Sequence, residues 1–561
     1  MQYKNVVLTN TMLGALMASI NMNIVMITLP TIFRGLNINP FAQAEFTYLL
    51  WILMGYSVVL ATVLVTFGRI SDIKGRTRMY TLGFIIFTIA SVLLSIVPDN
   101  SGNIGALLII FFRIIQGVGG GFLVVNSVAL LTDAFPTNER GKALGINSIA
   151  FSVGTVLGLV LGGILSQYNW HLVFIVNIPF AIGGTVWSIF KLKETVPRLN
   201  VSMDYWGNIT LAVSLIMISL AFTYTLEPYG TSQMGWGDPW VIAAFIVGII
   251  MLIAFVFLER KVKNPLFNLS LFKIRPFAYG NISLMTSSLG RGAVMFLVVI
   301  WLQGIYLPLH GFAYTVTPLW AGIYMLPMVV GMVIFAPIGG ILTDIHGARI
   351  FATLGMIISV IGLFLLTLLP YNFNVLYFEL IMFVIGIGGG LFFSPNTTAI
   401  MNAVSSKDRA AANGMRMTIN NIAGTISMAI FFSIAITIFS QNLPASMLQS
   451  TLLAGVPSKI AVLLSKIPAS GALFGAFLGV NPITVIPSQL LSTLTPSTLK
   501  ILDSTKFFPM VVGPSFMTGF TDSIYIAMAL SVLAAIFSAL MGGRYVHEEH
   551  YNKSAEEKKN K

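Results

Sequence analysis

The chain is dominated by long apolar segments that are separated by short polar ones. Runs of about 20 apolar residues, long enough to cross a bilayer as a helix, recur along nearly the whole sequence. The apolar residues are continuous within each run and do not alternate with polar ones, which indicates helices and argues against a membrane β-barrel. The predicted spanning helices are 8–33, 46–67, 79–97, 104–131, 142–167, 171–190, 205–226, 239–258, 277–307, 317–342, 350–369, 374–403, 412–440 and 521–543.

Composition supports an all-α polytopic membrane protein. Hydrophobic residues make up 56% of the chain and charged residues only 9%, against roughly 25% charged in soluble domains. The absence of cysteine excludes disulfides, thiolate metal sites and thiol catalysis. The N-terminus runs from Lys4 directly into an apolar segment without a small-residue cleavage site, so we read it as helix 1 and not as a signal peptide.

The distribution of basic residues predicts the orientation in the membrane. Fourteen is an even number, so both termini share one side. If that side is the cytoplasm, most basic loop residues face the cytoplasm, as the positive-inside rule requires. Those left outside are Arg34, Lys459, Lys466, Lys500 and Lys506. We therefore expect a plasma-membrane protein with cytoplasmic termini, whose net charge of +12 requires no nucleic acid partner.

Two landmarks recur along the chain and indicate an internal repeat. GVGGG at 117–121 returns as GIGGG at 386–390, an offset of 269 residues. A set of three residues recurs at an offset of 272: Gly68, Asp72 and Gly75, then Gly340, Asp344 and Gly347. Similar offsets predict two homologous six-helix halves in the same orientation, with a substrate site between them and helices 7 and 8 as an extra central pair.

The repeat divides the chain into segments. The stretch 441–520 is rich in Ser, Thr, Pro and Leu, and its prolines would break a spanning helix. We therefore predict an extracytoplasmic cap there. The predicted segments are a first half (1–195), two extra helices (196–265), helices 9 to 13 (266–440), the cap (441–520), the last helix (521–545) and a cytoplasmic tail (546–561).

Several motifs in order resemble the major facilitator superfamily, and within it the fourteen-helix drug:proton antiporter branch. They are GRISDIKGRTR at 68–78, RIIQGVGGG at 113–121, GTVLGLVLGG at 154–163, NWHLVFIVNIP at 169–179, DYWG at 204–207, MGWGDPW at 234–240 and NPLFNLSLFKIRPF at 264–277. The similarity covers about residues 15–440 and the last helix. It implies a transporter that works by alternating access.

The resemblance also implies roles for the loop 68–78 and its copy. Gly68 and Gly75 permit a tight turn and close helix approach, and the family pattern makes Asp72 and its basic neighbours a latch for one conformation. The implied latch residues are Gly68, Asp72, Gly75, Arg76, Asp344 and Gly347. Ordinary positive-inside anchoring is the alternative.

A set of glycines predicts close helix packing, as small residues provide in lipid. Its members are Gly117, Gly121, Gly154, Gly158, Gly162 and Gly163. In the family, the glycine-lined face of helix 5 seals the cavity. The sequence departs from the family pattern at Leu159, where a proline is usual.

Polar residues deep in predicted helices are costly in lipid and are therefore functional candidates. They are Asn21, Asn23, Arg113, Gln116, Arg291, Glu379 and Asp522. The resemblance places helices 1, 4, 9 and 12 around the central cavity. For Arg291 and Glu379 the alternative is a fixed ion pair that joins helices 9 and 12.

The polar set predicts an unusual cavity. Asn21 stands where the antiporter branch usually has an aspartate, and asparagine cannot titrate. Either Glu379 or Asp522 then carries proton coupling, or the coupling differs. The buried Arg113 and Arg291 favour neutral or anionic substrates over cationic drugs.

Other functional classes have weaker support in the sequence. No Walker phosphate loop is present and the five histidines fall at helix ends or in the tail, so an ATP-driven pump, a membrane enzyme or a metal or haem site is not indicated. We expect a monomer without a cofactor that exports hydrophobic small molecules in exchange for protons. The alternatives are a facilitator for an organic anion or metabolite, and a sensor or scaffold that transports nothing.

Overall fold

The structure is a computed structural model. It describes residues 2–39, 41, 43–195, 204–225, 227, 229–230, 232, 234–262, 265, 267–405 and 409–543. The predicted tail 546–561 lies outside the described residues.

Long helices account for most of the described chain. They are α1 (Tyr3–Leu36), α2 (Gln43–Lys74), α3 (Arg76–Ser95), α4 (Gly102–Ala134), α5 (Thr137–Leu165), α6 (Leu172–Lys191), α7 (Tyr205–Tyr224), α8 (Pro239–Glu259), α9 (Arg275–Leu309), α10 (Thr317–His346), α11 (Ala348–Thr367), α12 (Val375–Asn402), α13 (Arg409–Leu453) and α14 (Phe507–Ala539). Thirteen helices in the described residues are long and apolar enough to span a membrane. The remaining helix, α5, has 29 residues and packs along α1. The predicted all-α membrane fold is confirmed.

The helix contacts repeat between the two halves. In the first half α1 packs on α4, α5 and α6, while α4 also packs on α2 and α3. In the second half α9 packs on α12, α13 and α14, while α12 also packs on α10 and α11. The second pattern is the first shifted by eight helices, as the sequence repeat requires.

The extra helices α7 and α8 lie at the perimeter, although they are central in the sequence. α7 packs on α2, α8 and α13, and the Trp236 indole before α8 donates to Ser433 Oγ of α13 at 2.9 Å. Most of the apolar surface of α8 faces outward. Its mean hydropathy of 3.2, the highest of the spans, suits that position because lipid is its main neighbour.

The two sides of the membrane differ in how the halves meet. We call the side of residues 458–502 the cap side, and the side of residues 68–78 the latch side. On the cap side, one buried apolar cluster contains residues of both halves, among them Ile27 and Leu302. On the latch side, Leu131 of the first half and Phe277 of the second belong to separate clusters. The halves therefore share a buried cluster on the cap side, whereas on the latch side their buried clusters are separate and Met417 of α13 packs against the edge of the first-half cluster.

Polar contacts reinforce the closed cap side. Gln303 Nε2 of α9 donates to the carbonyl of Ile27 at 3.0 Å, and Arg34 Nη2 of α1 donates to the carbonyl of Tyr314 at 3.1 Å. Burial raises the pKa of the Tyr314 phenol, which keeps it neutral. Both hydrogen bonds join the first half to the second.

The predicted cap is shorter than the sequence suggested. α13 continues to Leu453 and α14 begins at Phe507, so both ends of the stretch 441–520 are helical. Pro444 lies inside α13, because neighbouring helices tolerate a proline in a membrane span. Pro509 and Pro514 lie within α14. The remaining cap prolines stand at or just before the first residue of short helices, where the missing N–H costs nothing.

Part of the cap also enters the protein. The helix Ser458–Ser465 is followed, after a bend of 93°, by Ala469–Leu478, which we call the plug. Every residue of the plug is buried. It contacts α1 and α2 of the first half, and α9, α13 and α14 of the second. The Phe474 ring stacks on Phe432 with centroids 5.4 Å apart. The sequence prediction of a cap at the membrane surface did not include this insertion.

Candidate functional site

A buried polar cluster joins the first four helices. Arg113 of α4 is 1% exposed; its Nη1 lies 3.3 Å from Gln116 Oε1 and 3.5 Å from the Asn21 carbonyl. Asn21 Nδ2 donates to Gln116 Oε1 at 3.0 Å, and Gln116 Nε2 donates to Ser91 Oγ at 3.0 Å. The Arg113 guanidinium lies 5.0 Å from the centroid of the Tyr56 ring. Three of the predicted cavity residues thus meet.

This cluster leaves hydrogen-bonding capacity unused. Arg113 Nε is buried and has no hydrogen-bond partner within the described part of the chain. The Tyr56 hydroxyl and the Asn21 side chain, both buried, lie close enough to interact with each other. Buried polar groups without partners are costly. The cluster is closed in this conformation, because these groups reach no open surface.

Asn23 points elsewhere. Its Nδ2 donates to the Ser19 carbonyl at 2.8 Å and lies 3.5 Å from Thr155 Oγ1. A side chain at Gly158 would contact Asn23 at 3.1 Å. Asn23 therefore belongs to the α1–α5 contact and not to the Arg113 cluster.

Two arginines of the second half contact α12 one turn apart. The guanidinium of Arg291, from α9, lies over the Phe393 ring, 4.0 Å from its centroid. Arg416, from α13, has its Nη1 3.4 Å from Thr397 Oγ1 and its Nη2 3.1 Å from Asn413 Oδ1. Both arginine side chains are half-buried.

Arg416 was missed by the sequence analysis. It lies inside the predicted helix 412–440, so the same reasoning that selected Arg113 and Arg291 would have found it. It lies about two turns from the latch-side end of α13.

The structure does not bring Glu379 to Arg291. Glu379 lies in the second turn of α12, near the cap side. The Arg291 guanidinium lies at the level of Phe393, and its Nη1 is 3.7 Å from where a Gly389 side chain would begin. Ten residues separate Glu379 from Gly389, which is about 15 Å along a helix. The alternative of a fixed ion pair between them is therefore wrong for this conformation.

Asp522 does not face the arginines either. It is exposed on α14, in a stripe with the exposed Tyr525 and Ile526. The opposite face of α14 carries Phe520, which packs on Trp301 at 5.0 Å between centroids. Asp522 thus lies on the outer surface of the bundle.

The latch residues of the first half form an ion-pair network. Arg76 Nη2 lies 2.8 Å from Asp72 Oδ1, and Arg76 Nη1 lies 2.6 Å from Asp133 Oδ1 of α4. Gly75 has a positive φ of 110°, which favours glycine. Asp133 was not among the predicted residues, although it lies one residue from the end of the α4 helix.

The copy in the second half keeps the same turn. Gly347 has a φ of 88°. The backbone of Asp344 lies in the last turn of α10, and its side chain lies outside the described parts of the chain. The geometry of Gly75 and Gly347 shows why both copies need glycine.

The packing glycines face three different helices. A side chain at Gly117 or Gly121 would press on α2, and one at Gly154, Gly158 or Gly162 would press on α1. A side chain at Gly163 would instead meet Leu319 and Pro318 of α10, 2.8 Å from the Leu319 amide nitrogen. Gly68 lies beside Val125. Gly163 is thus the predicted glycine at the contact between the halves.

The family follows from comparison with known proteins. The family model for the Major Facilitator Superfamily matches residues 11–262 and 258–428. The chain belongs to the major facilitator superfamily. It is therefore a membrane transporter with this superfamily's paired six-helix halves, and the predicted family is confirmed.

Named relatives of this superfamily include drug-resistance proteins. The chain is 32% identical to the riboflavin transporter RibZ of Clostridioides difficile over 79% of this chain and 90% of RibZ. It is 29% identical to multidrug resistance protein 3 of Bacillus subtilis, over 78% of this chain and 80% of that protein.

A solved structure shares the fold. It is a bacterial homologue of the human lysosomal transporter Spinster in an inward-facing, unoccupied conformation. The match has a TM-score of 0.57 at 14% identity and covers 97% of this chain and 99% of the other.

Proposed function

We propose that this transporter exports hydrophobic small molecules by alternating access and that proton entry drives the export. One observation carries the proposal: the halves share a buried cluster on the cap side and have separate clusters on the latch side. That asymmetry is one of the two conformations an alternating-access cycle needs. The multidrug names of several relatives support the choice of substrate.

We assign the latch side to the cytoplasm of a plasma-membrane protein, with both termini there. Basic residues such as Arg69 and Lys74 lie on the latch side, in accordance with the positive-inside rule. The described conformation then opens towards the cytoplasm, from which an exporter takes its substrate.

Glu379 is our candidate for the proton site. Its side chain is half-buried near the cap side and lies close enough to Tyr324 of α10 for electrostatic interaction. A charged carboxylate resists burial in a closed apolar region, whereas the protonated form does not. Proton binding from outside would thus favour the cap-closed state, and a difference between states is what coupling requires.

The test is flux in proteoliposomes under an imposed pH gradient. Cationic, neutral and anionic hydrophobic dyes are compared for the wild type, Glu379→Gln and Asp522→Asn. We expect gradient-driven flux that is lost in Glu379→Gln and kept in Asp522→Asn, since Asp522 faces outward from the bundle. Flux that ignores the gradient would refute proton coupling. The absence of flux for every dye would refute transport of such molecules and favour a sensor or scaffold.

A facilitator for a metabolite is the second candidate. The similarity to a riboflavin transporter favours it. It predicts flux in either direction that follows the substrate gradient alone, and the same liposomes measure this.

A further inference from the structure

We propose that Arg291 and Arg416 bind the anionic group of an amphipathic organic anion, which is the substrate class of this transporter. This inference rests on the proposed export function, since it names what the same interior carries. It concerns one face of α12, on the latch side of the membrane centre.

The two guanidinium groups converge on that face. Arg291 lies over Phe393, and Arg416 contacts Thr397. Phe393 and Thr397 are four residues apart, so they lie on the same face of α12, about 6 Å apart along its axis. The guanidinium groups of Arg291 and Arg416 therefore lie beside successive turns of α12.

A hydrogen bond fixes the helices that carry the arginines. Ser288 Oγ of α9 donates to Asn420 Oδ1 of α13 at 2.7 Å. Arg291 lies three residues after Ser288, and Arg416 lies four residues before Asn420. At these spacings each arginine lies on the same helix face as its hydrogen-bonding neighbour, so Arg291 and Arg416 lie on the sides of α9 and α13 that face each other.

The charge of this pair has no counterpart among the described residues. The ion pairs there are Lys4–Glu139, Arg76–Asp72 and Arg76–Asp133, and none includes either arginine. The contacts of Arg291 and Arg416 are an aromatic ring, a hydroxyl and an amide oxygen, all neutral. Two like charges inside a membrane are costly without an opposite charge.

An anionic ligand supplies that opposite charge. Neither arginine side chain is fully buried, so each retains some exposed surface. Guanidinium groups bind carboxylate, sulfonate or phosphate oxygens with paired, charge-assisted hydrogen bonds. Phe393 beside them offers an apolar surface for the body of the molecule. An inside-negative membrane potential would further favour export of an anion.

The test uses fluorescein and rhodamine 123, an anion and a cation with the same ring system. Transport is measured in phosphatidylcholine proteoliposomes, which contain no anionic lipid, and binding is measured by fluorescence anisotropy in detergent. The variants are Arg291→Gln, Arg416→Gln and the corresponding lysine substitutions. Arg349→Gln is the control, because Arg349 is exposed on α11 and its loss changes the net charge equally.

We expect each glutamine variant to lower fluorescein binding and flux at least about tenfold, the order expected for losing a charge-assisted pair of hydrogen bonds. The lysine variants keep the charge but lose the paired hydrogen bonds, so their fluorescein binding and flux should lie between those of the glutamine variants and the wild type. Arg349→Gln should match the wild type. Rhodamine 123 flux should not fall in any variant. If fluorescein binds equally well to the wild type and both glutamine variants, or if only rhodamine 123 binds, the inference is wrong.

The two proposals fail separately. Fluorescein binding that needs both arginines, without flux of any dye, would support the anion site and refute export. Flux of rhodamine 123 without fluorescein binding would support export and refute the anion site. If one glutamine variant fails to fold, the inference is tested by the lysine variants and by fluorescein binding to the glutamine variant of the other arginine.

Discussion

Gly163 is where the end of α5 meets α10, and enlarging it tests the closed cap side. A β-carbon built at Gly163 would lie 2.8 Å from the Leu319 amide nitrogen and 3.0 Å from the Pro318 carbonyl oxygen. These are backbone atoms, which cannot rotate away. In a state with the cap side open, we expect the two halves to separate there and this contact to be relieved. Gly163→Val should therefore penalise one state only.

The size of the effect follows from overpacking. Extra methyl groups in a well-packed contact cost about 1–3 kcal/mol. Because this overpacking destabilises only the cap-closed state, the ratio of cap-open to cap-closed molecules should rise by about 5–150-fold. Export should slow, since the cycle must pass through the destabilised state.

The assay uses the natural absence of cysteine. A single reporter, Leu159→Cys, is placed at the contact with Gly322, where Leu159 is 1% exposed. An impermeant maleimide added from the cap side should label it several times faster in Gly163→Val. Gly183→Val is the control, because no atom lies within 4 Å of a β-carbon there. Equal labelling rates in all three backgrounds would refute the closed contact.

Three further changes test other parts of the structure. Asp133→Asn removes one of the two carboxylates that pair with Arg76 and should lower Tm by the equivalent of about 1–3 kcal/mol of stability. Glu139→Gln breaks a more exposed ion pair and should lower the stability by less than about 1 kcal/mol. Equal shifts in Tm for the two variants would contradict this. Phe477→Ala leaves a cavity where the plug packs against the helices and should lower the stability by about 3–5 kcal/mol. It should also increase the access of the maleimide from the cap side. Unchanged access would show that the plug does not seal the cap side. Arg113→Gln removes a buried charge whose partners are neutral, so Tm should stay the same or rise while flux falls. A large drop in Tm would instead assign Arg113 a structural role.

The sequence by itself determined the helical class, the order of the long helices and the twofold repeat. It also gave the approximate ends of most helices, but not those of α13 and α14, which extend into the predicted cap. These follow from lipid, which requires each span to be a continuous apolar run whatever its neighbours are. The resemblance placed Asn21, Arg113 and Gln116 on helices that line the central cavity, and the structure brings the three side chains together. The need for glycine at position 75 could be predicted from the local sequence, because the positive φ there is set by the turn in which Gly75 lies.

Only the tertiary structure decided which side chains meet across helices. Glu379 and Arg291 both lie on predicted cavity helices, yet about 15 Å of helix separates their levels. Arg291 and Arg416 contact the same face of α12 because of how α9, α12 and α13 pack, and no local sequence pattern encodes that packing. The plug lies inside because its small and aromatic residues fit a gap between the halves, and such a fit depends on the surfaces of five other helices.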